Sequence, residues 1–162
     1  MRRALIALVA IVLVTTGVAV ATPVPVLAMR GSDRQYVAEL REGAELFYEY
    51  QQSIYEATVI EYFVREGERL RLRKVLSPDI RAIEYFRWDT PIVREGDYYV
   101  GEPPPTLVAE LVIRVTPAGQ QLITGVDGGR TLPLLHWFGE DVVHLTPGRA
   151  SLVRTLAQGL RR

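Results

Sequence analysis

The chain has 162 residues, 48% of them hydrophobic, and its 19 basic side chains are balanced by 19 acidic ones. That balance leaves no basic field for nucleic acid. The absence of cysteine removes disulfides, thiolate metal sites, a cysteine nucleophile and lipid attachment through an N-terminal thiol, so the fold must be held by packing alone.

Met1-Arg2-Arg3 precedes an apolar run from Ala4 to Ala21, interrupted only by Thr15, Thr16 and Gly17. Cations ahead of a run of roughly 18 residues, long enough to enter or nearly cross a hydrocarbon core, predict a start held inside the cell and a remainder exported. Residues 1–28 therefore read as a signal peptide or an N-terminal membrane anchor. Ala19-Val20-Ala21 and Val26-Leu27-Ala28 both offer small residues before a cut, while the length of the run equally suits a retained anchor. Thr22-Pro23-Val24-Pro25 is expected as a stiff spacer, because each proline fixes φ and removes a donor, and residues 29–42 as a linker.

From Gly43 alternation dominates. Glu45 to Gln51 predicts a strand with Leu46, Tyr48 and Tyr50 on one face. Thr58 to Arg65, rich in β-branched and aromatic residues, predicts a second strand, turned by Glu66-Gly67-Glu68 into Arg69 to Arg73, whose leucines alternate with arginines. Ser77 to Glu102 reads as an irregular excursion with turns at Ser77-Pro78-Asp79, Thr90-Pro91 and Arg94-Glu95-Gly96-Asp97. After Pro103-Pro104-Pro105, the long alternating run Leu107 to Val115 predicts a central strand. Gln121 to Val126 and Thr131 to Leu135 form a hairpin about Asp127-Gly128-Gly129, and Val142 to Thr146 is the last strand. Beyond Pro147-Gly148, the spacing of Leu152, Val153, Leu156, Ala157 and Leu160 predicts an amphipathic helix over 148–162. The expected fold is all-β: a single antiparallel sandwich or barrel-like domain over 43–147, after an N-terminal hydrophobic helix and before a short C-terminal one.

Catalytic chemistry is thinly represented. His136 and His144 lack metal-pair spacing, no serine sits in a nucleophile elbow, and neither a metal nor a cofactor is expected. Glu49 and Glu61 are the best raw material for an enzyme. If the apolar faces of Leu46 and Ile60 both point inward, the two acids share the outer surface as an acid and base pair for an envelope glycan. The tyrosines, with Phe86 and Trp88, supply either ligand-stacking area or ordinary strand packing.

In order along the chain, Phe47 to Ile54, Val59 to Phe63, Asp97-Tyr98-Tyr99-Val100, Leu111 to Val115 and Gly129 to Leu134 resemble a domain-of-unknown-function family. Its members are small exported prokaryotic proteins, often encoded beside tripartite ATP-independent (TRAP) transporters of the TAXI type. The likeness spans about Glu42 to Thr146, with two departures: the family's His-Ser pair is Gln52-Ser53 here, and its glycine-rich loop is replaced by Ser77-Pro78-Asp79-Ile80-Arg81-Ala82. The resemblance implies a non-catalytic accessory or binding module outside the cytoplasmic membrane. A TRAP transporter subunit or solute-binding protein would be its partner, and Gln52, Ser53 and Glu61 its candidate binding residues.

Overall fold

The computed structural model of the protein describes residues 23–151; the apolar run 4–21 and the expected helical stretch 152–162 lie outside the described residues. The domain is all-β, built from two antiparallel sheets. In the smaller sheet β2 (Gln35–Glu39), β1 (Pro23–Arg30), β12 (Val142–Ser151) and β9 (Leu111–Arg114) lie side by side in that order. In the larger sheet the order is β11 (Arg130–Pro133), β10 (Leu122–Val126), β3 (Glu45–Gln52), β4 (Ala57–Glu66), β5 (Arg69–Ser77), β7 (Tyr98–Gly101) and β6 (Ile92–Glu95). The short β8 (Thr106–Val108) pairs with the first half of β5, while β7 takes the second half.

The expected hairpins form because their information is local. Strands β3, β4 and β5 pair in sequence order, and β10 and β11 fold back about Asp127-Gly128-Gly129. That turn does more than reverse the chain. The Asp127 carboxylate accepts from Tyr36 Oη and from the Glu39 amide, each at 2.7 Å, and so ties the larger sheet to the edge of the smaller one. On β5 the pairing slips between Tyr62 and Phe63 of its partner, a bulge that leaves Arg73 unmatched. The extra residue switches parity, so Leu70 on one side of it and Val75 and Ser77 on the other are all buried.

Four sequence expectations are corrected by the structure. Residues 29–42 are not a linker, and Thr22-Pro23-Val24-Pro25 is not merely a spacer. Residues 23–30 are strand β1 and residues 35–39 are β2, with Leu27, Met29 and Ala38 fully buried. Prolines are tolerated there because β2 pairs with β1 only from Val26 onward, leaving Pro23 and Pro25 a ladder partner on one side alone. The same reasoning extends β12 through Pro147-Gly148 to Ser151, past the end of its pairing with β9 at Leu145, so residues 148–151 are strand rather than the start of a helix. The run Leu107 to Val115 is not one central strand. It breaks at Ala109-Glu110, with β8 joining the larger sheet and β9 forming an edge of the smaller. Finally, the return strand after Asp127-Gly128-Gly129 stops at Pro133, and Leu134–Phe138 is a short helix, α2, preceded in the chain by another, α1 (Ile80–Glu84).

Two hydrophobic cores result, both on the inner face of the larger sheet. The main core lies between the sheets and gathers Leu27, Met29, Leu46, Phe63, Leu70, Ile123, Leu132, Leu134 and Leu145. A smaller one lies beneath α1, where Ala82 and Ile83 pack on Ala57, Val59 and Val75, flanked by Tyr50, Tyr55, Phe86 and Trp88. Helix α1 starts where it does because the Asp79 carboxylate accepts from the Arg81 amide at 2.9 Å, a side-chain N-cap. It can sit close to the sheet because Gly101 has no side chain: a Cβ there would stand 2.6 Å from Ile83 Cγ2.

Arg65 joins the parts. Only 2% exposed, its guanidinium donates to the carbonyls of Val26 (2.9 Å), Leu40 (2.7 Å), Gly67 (2.9 Å) and Gly148 (2.7 Å), so one side chain reaches β1, the β2–β3 turn, the β4–β5 turn and β12. Burial lowers its pKa from the usual arginine value, and Glu42, 3.9 Å away, opposes that effect. Removing a buried charged donor that satisfies several carbonyls costs roughly 3–5 kcal/mol. Arg65→Leu is therefore expected to lower the urea midpoint by a stability loss of that size, and Arg65→Lys, which keeps the charge but not the fork of donors, to recover less than half of it. The placement of β1 gives a second expectation, read by circular dichroism. A chain beginning at Thr22 keeps every described strand and folds, whereas one beginning at Met29 loses Val26 and Leu27 from the core and does not.

Candidate functional site

Strand pairing decides where each candidate residue points. In the β3–β4 register Leu46 opposes Phe63, Tyr48 opposes Glu61, Glu49 opposes Ile60 and Gln52 opposes Ala57. Since Leu46, Val59 and Phe63 are buried in the cores, parity puts Tyr48, Tyr50, Gln52 and Glu61 on the inner face and Glu49, Ile60 and Tyr62 on the outer one. The expectation that Glu49 and Glu61 share the outer surface is thereby corrected. It assumed that Ile60 points inward, whereas the inward face of β4 is Ala57, Val59, Glu61, Phe63 and Arg65, and the two glutamates stand on opposite sides of the sheet.

Glu61 lies on β4 between Val59 of the small core and Phe63 of the main core, at the seam where the two meet. Tyr48 packs on the main core and Tyr50 on the small one, with their rings stacked 4.8 Å apart across the same boundary. The Tyr50 hydroxyl donates to Glu61 Oε1 at 3.2 Å. Burial raises the Glu61 carboxyl to about 7, an effect that the Tyr50 hydrogen bond only partly offsets. Burial likewise raises both tyrosine hydroxyls, and the Glu61 charge adds to it. Among the described residues no lysine, arginine or histidine forms an ion pair with Glu61.

The other two candidate residues fare differently. Gln52 shares the inner face with Glu61 and is 8% exposed, with its Oε1 lacking a hydrogen-bond partner. Its place opposite Ala57 is four residues along the strand from the Tyr48–Glu61 pair, about 13 Å away, so the two do not meet directly. Ser53 is exposed in the turn between β3 and β4. The structure thus assembles a site around Glu61, Tyr48 and Tyr50, with Gln52 at one end and Ser53 outside it. Of these the sequence reading names Glu61, Gln52 and Ser53 as binding candidates, and Tyr48 and Tyr50 only within a broad set of aromatics whose simpler role is strand packing, without joining them to Glu61. The available signal was a carboxylate at inward parity within an otherwise apolar series.

One open groove borders the seam at Tyr50, and another lies on the opposite face of the larger sheet. The first, of about 510 Å³, is lined by Glu49, Tyr50, Gln51, Thr58, Leu122 and His136, among others; the second, of about 590 Å³, runs along Phe47, Ile60, Tyr62, Lys74 and Leu76 on the outer face. Among the described residues no cluster of three or more His, Asp or Glu side chains is placed to hold a metal ion, and no helix is long and apolar enough to cross a membrane. No protein-family model, curated protein or solved structure matches this chain.

The raised Glu61 carboxyl makes stability depend on pH. Because the folded state holds this proton more tightly than the unfolded chain, its favourable contribution is complete below the ordinary carboxyl value of 4.5 and is lost as pH rises through about 7. Such a displacement corresponds to roughly 3 kcal/mol, reduced to about 2 kcal/mol by solvent at the open side of the seam. Glu61→Gln should flatten the decline between pH 4.5 and 7 and leave the variant the more stable protein at pH 8, as followed by denaturant unfolding across that range. An unchanged slope would assign the decline to other groups.

Proposed function

We propose that this chain is a non-catalytic binding or accessory module of the cell envelope, brought to the outer side of the cytoplasmic membrane by residues 4–21. It engages a membrane partner through the Glu61–Tyr50 seam. The observation that carries the reading is Glu61 itself: a half-buried carboxyl held by one tyrosine hydroxyl, with no ion pair among the described residues and Glu49 on the other face. A glycan hydrolase needs two carboxyl groups facing one bond from the same side, and this pair does not offer them. Keeping an ionisable group without a charged partner at a boundary between cores lowers stability at neutral pH, which makes sense where the partner completes the site.

The order of motifs that resembles the TAXI-associated family supplies the kind of partner, a TRAP transporter subunit or its solute-binding protein, through the company such genes keep. The departures at Gln52 and at Ser77–Ala82 bear on this directly. The first places a buried amide where the family has histidine, and the second forms the cap and first turn of α1, which roofs the small core next to the seam.

A photo-crosslinking residue at Tyr85, exposed close to Tyr50, or at Ser53, exposed in the turn beyond Gln52, tests the reading in native membranes. The expected adduct, identified by mass spectrometry, is an integral transporter subunit or a solute-binding protein, and it should weaken severalfold in the Glu61→Gln background. Adducts that include neither kind of protein would count against the module having a transport partner.

A further inference from the structure

A sheet leaves hydrogen-bonding groups unpaired along its edge strands, and most edges of this fold are blunted. The β2 edge is tied to the Asp127 turn, whose amide donates to the Glu39 carbonyl at 2.9 Å while its carboxylate accepts from the Glu39 amide. Strand β11 ends in Pro133, β8 follows Pro103-Pro104-Pro105, and β6 carries Arg94 and Glu95 side by side. Strand β9 instead presents Val112, 57% exposed, in the middle of its open edge.

The ladder fixes which backbone groups are open there. The Val115 amide donates to the Asp141 carbonyl at 2.8 Å, in register with the pairing of Arg114 with Val142. Antiparallel strands alternate, so Leu111 and Ile113 also turn their N–H and C=O groups to β12, whereas those of Glu110, Val112 and Arg114 turn away from it. Beyond Arg114 the edge is closed by the Gln121 amide, which donates to the Arg114 carbonyl at 3.1 Å and accepts from the Thr116 N–H at 3.3 Å. The open stretch is Glu110 to Arg114.

Its side chains are self-complementary. Ile113 is buried while Val112 and Arg114 are exposed, so alternation puts Glu110, Val112 and Arg114 on the outer face and Leu111 and Ile113 on the inner one. The Glu110 carboxylate accordingly lies 3.2 Å from Nδ1 of the exposed His144 on β12. Among the described residues Arg114 forms no ion pair. Laid antiparallel on a second copy of itself about Val112, the stretch sets Val112 against Val112, Leu111 against Ile113 and Glu110 against Arg114. This register joins open backbone groups to open ones and opposite charges to each other. A shift of one residue would oppose open groups to those that β12 already uses, and a shift of two would put a charge opposite Val112.

We propose that the β9 edge is an interface between two copies of this chain, in which β9 pairs with β9 about a two-fold axis through Val112. The two four-stranded sheets then become one continuous sheet, with Leu111 and Ile113 extending its inner face. The Arg114 carbonyl keeps a second lone pair for the Glu110 N–H of the other copy. So short a pairing buries less than a standard interface, and the dimer exchanges with monomer.

Because the chain has no cysteine, a single introduced one reports the contact in the full-length protein. Val112→Cys lies on the two-fold, where the Cα atoms of a bonded antiparallel pair stand about 5.5 Å apart, within disulfide reach. Val93→Cys, on the β6 edge at 55% exposure, is the control. The purified protein in detergent is oxidised with copper phenanthroline, and the disulfide dimer is followed on non-reducing gels. Val112→Cys is expected to crosslink about tenfold faster than Val93→Cys, because pairing raises its effective concentration. In the Val112→Cys background, Glu110→Arg or Arg114→Glu alone sets like charges face to face and should slow the reaction severalfold, and the two together should restore it, with circular dichroism unchanged throughout. Equal rates at the two cysteines would overturn the interface. So would a fast reaction at Val112→Cys that the single replacements leave unaltered or the double one fails to restore, since a dimer held elsewhere has no reason to depend on that pair of charges.

Discussion

The architecture depends on a cation where an alternating strand should place a hydrophobic residue. Arg65 stands at the end of the inward series Ala57, Val59, Glu61, Phe63 and Arg65, and three of its four carbonyl partners come from segments distant in sequence. Those carbonyls need it. Val26 and Gly148 are register partners beside Pro25 and Pro147, at the last pair of the β1–β2 ladder and beyond the end of the β12–β9 ladder, where strand pairing is running out. A guanidinium is the one side chain with enough donors in a rigid fork to serve all four, and its own desolvation is offset only because every direction it points in meets an oxygen. The prolines and glycine of the smaller sheet and the arginine of the larger are thus one feature divided between two places.

Glu61, two positions before Phe63 and four before Arg65, is the complementary case. Both charged residues occupy inward parity on one strand, yet Arg65 is surrounded by partners and Glu61 has a single hydroxyl. The difference comes from the layer above each. Over Arg65 the smaller sheet closes, whereas over Glu61 the covering changes from that sheet to α1, and two coverings that do not merge leave a seam. A carboxyl there is dry enough to be lifted to about 7 while it stays partly exposed.

Much of the fold was legible because hairpins are local. Strands β3, β4, β5, β10 and β11 and their turns follow from period-two patterning and glycine placement, and so does the inward set of β3. What escaped was whatever alternation leaves ambiguous. Leu107 to Val115 alternates equally well as one strand or as two in different sheets, and only the division of β5's edge between β7 and β8 decides. On β4 both faces are largely apolar, with Ile60, Tyr62 and Val64 against Val59 and Phe63, so parity could not say which way Glu61 pointed; its pairing with Tyr48 does. Pro23, Pro25 and Pro147 misled in another way. Proline marks the end of a strand only where neighbours flank it on both sides, and that depends on partners more than 100 residues away in the chain.

Strand β1 also bears on the boundary between leader and domain. A cut after Ala28 would remove Val26 and Leu27, two core residues and one of the Arg65 acceptors, while a cut after Ala21 leaves β1 whole. Of the two small-residue patterns only Ala19-Val20-Ala21 is therefore compatible with the folded domain, and a retained anchor would join β1 with almost no intervening chain. The number of residues between Ala21 and Pro23 leaves no room for a flexible stalk. Were residues 4–21 held in a bilayer, the smaller sheet would have to follow them closely. From the Arg65 end of β4, Glu61 is about 13 Å along the strand and Ala57 about 26 Å, so the seam and the Ser53 turn are set back from the part of the fold tied to that end of β1.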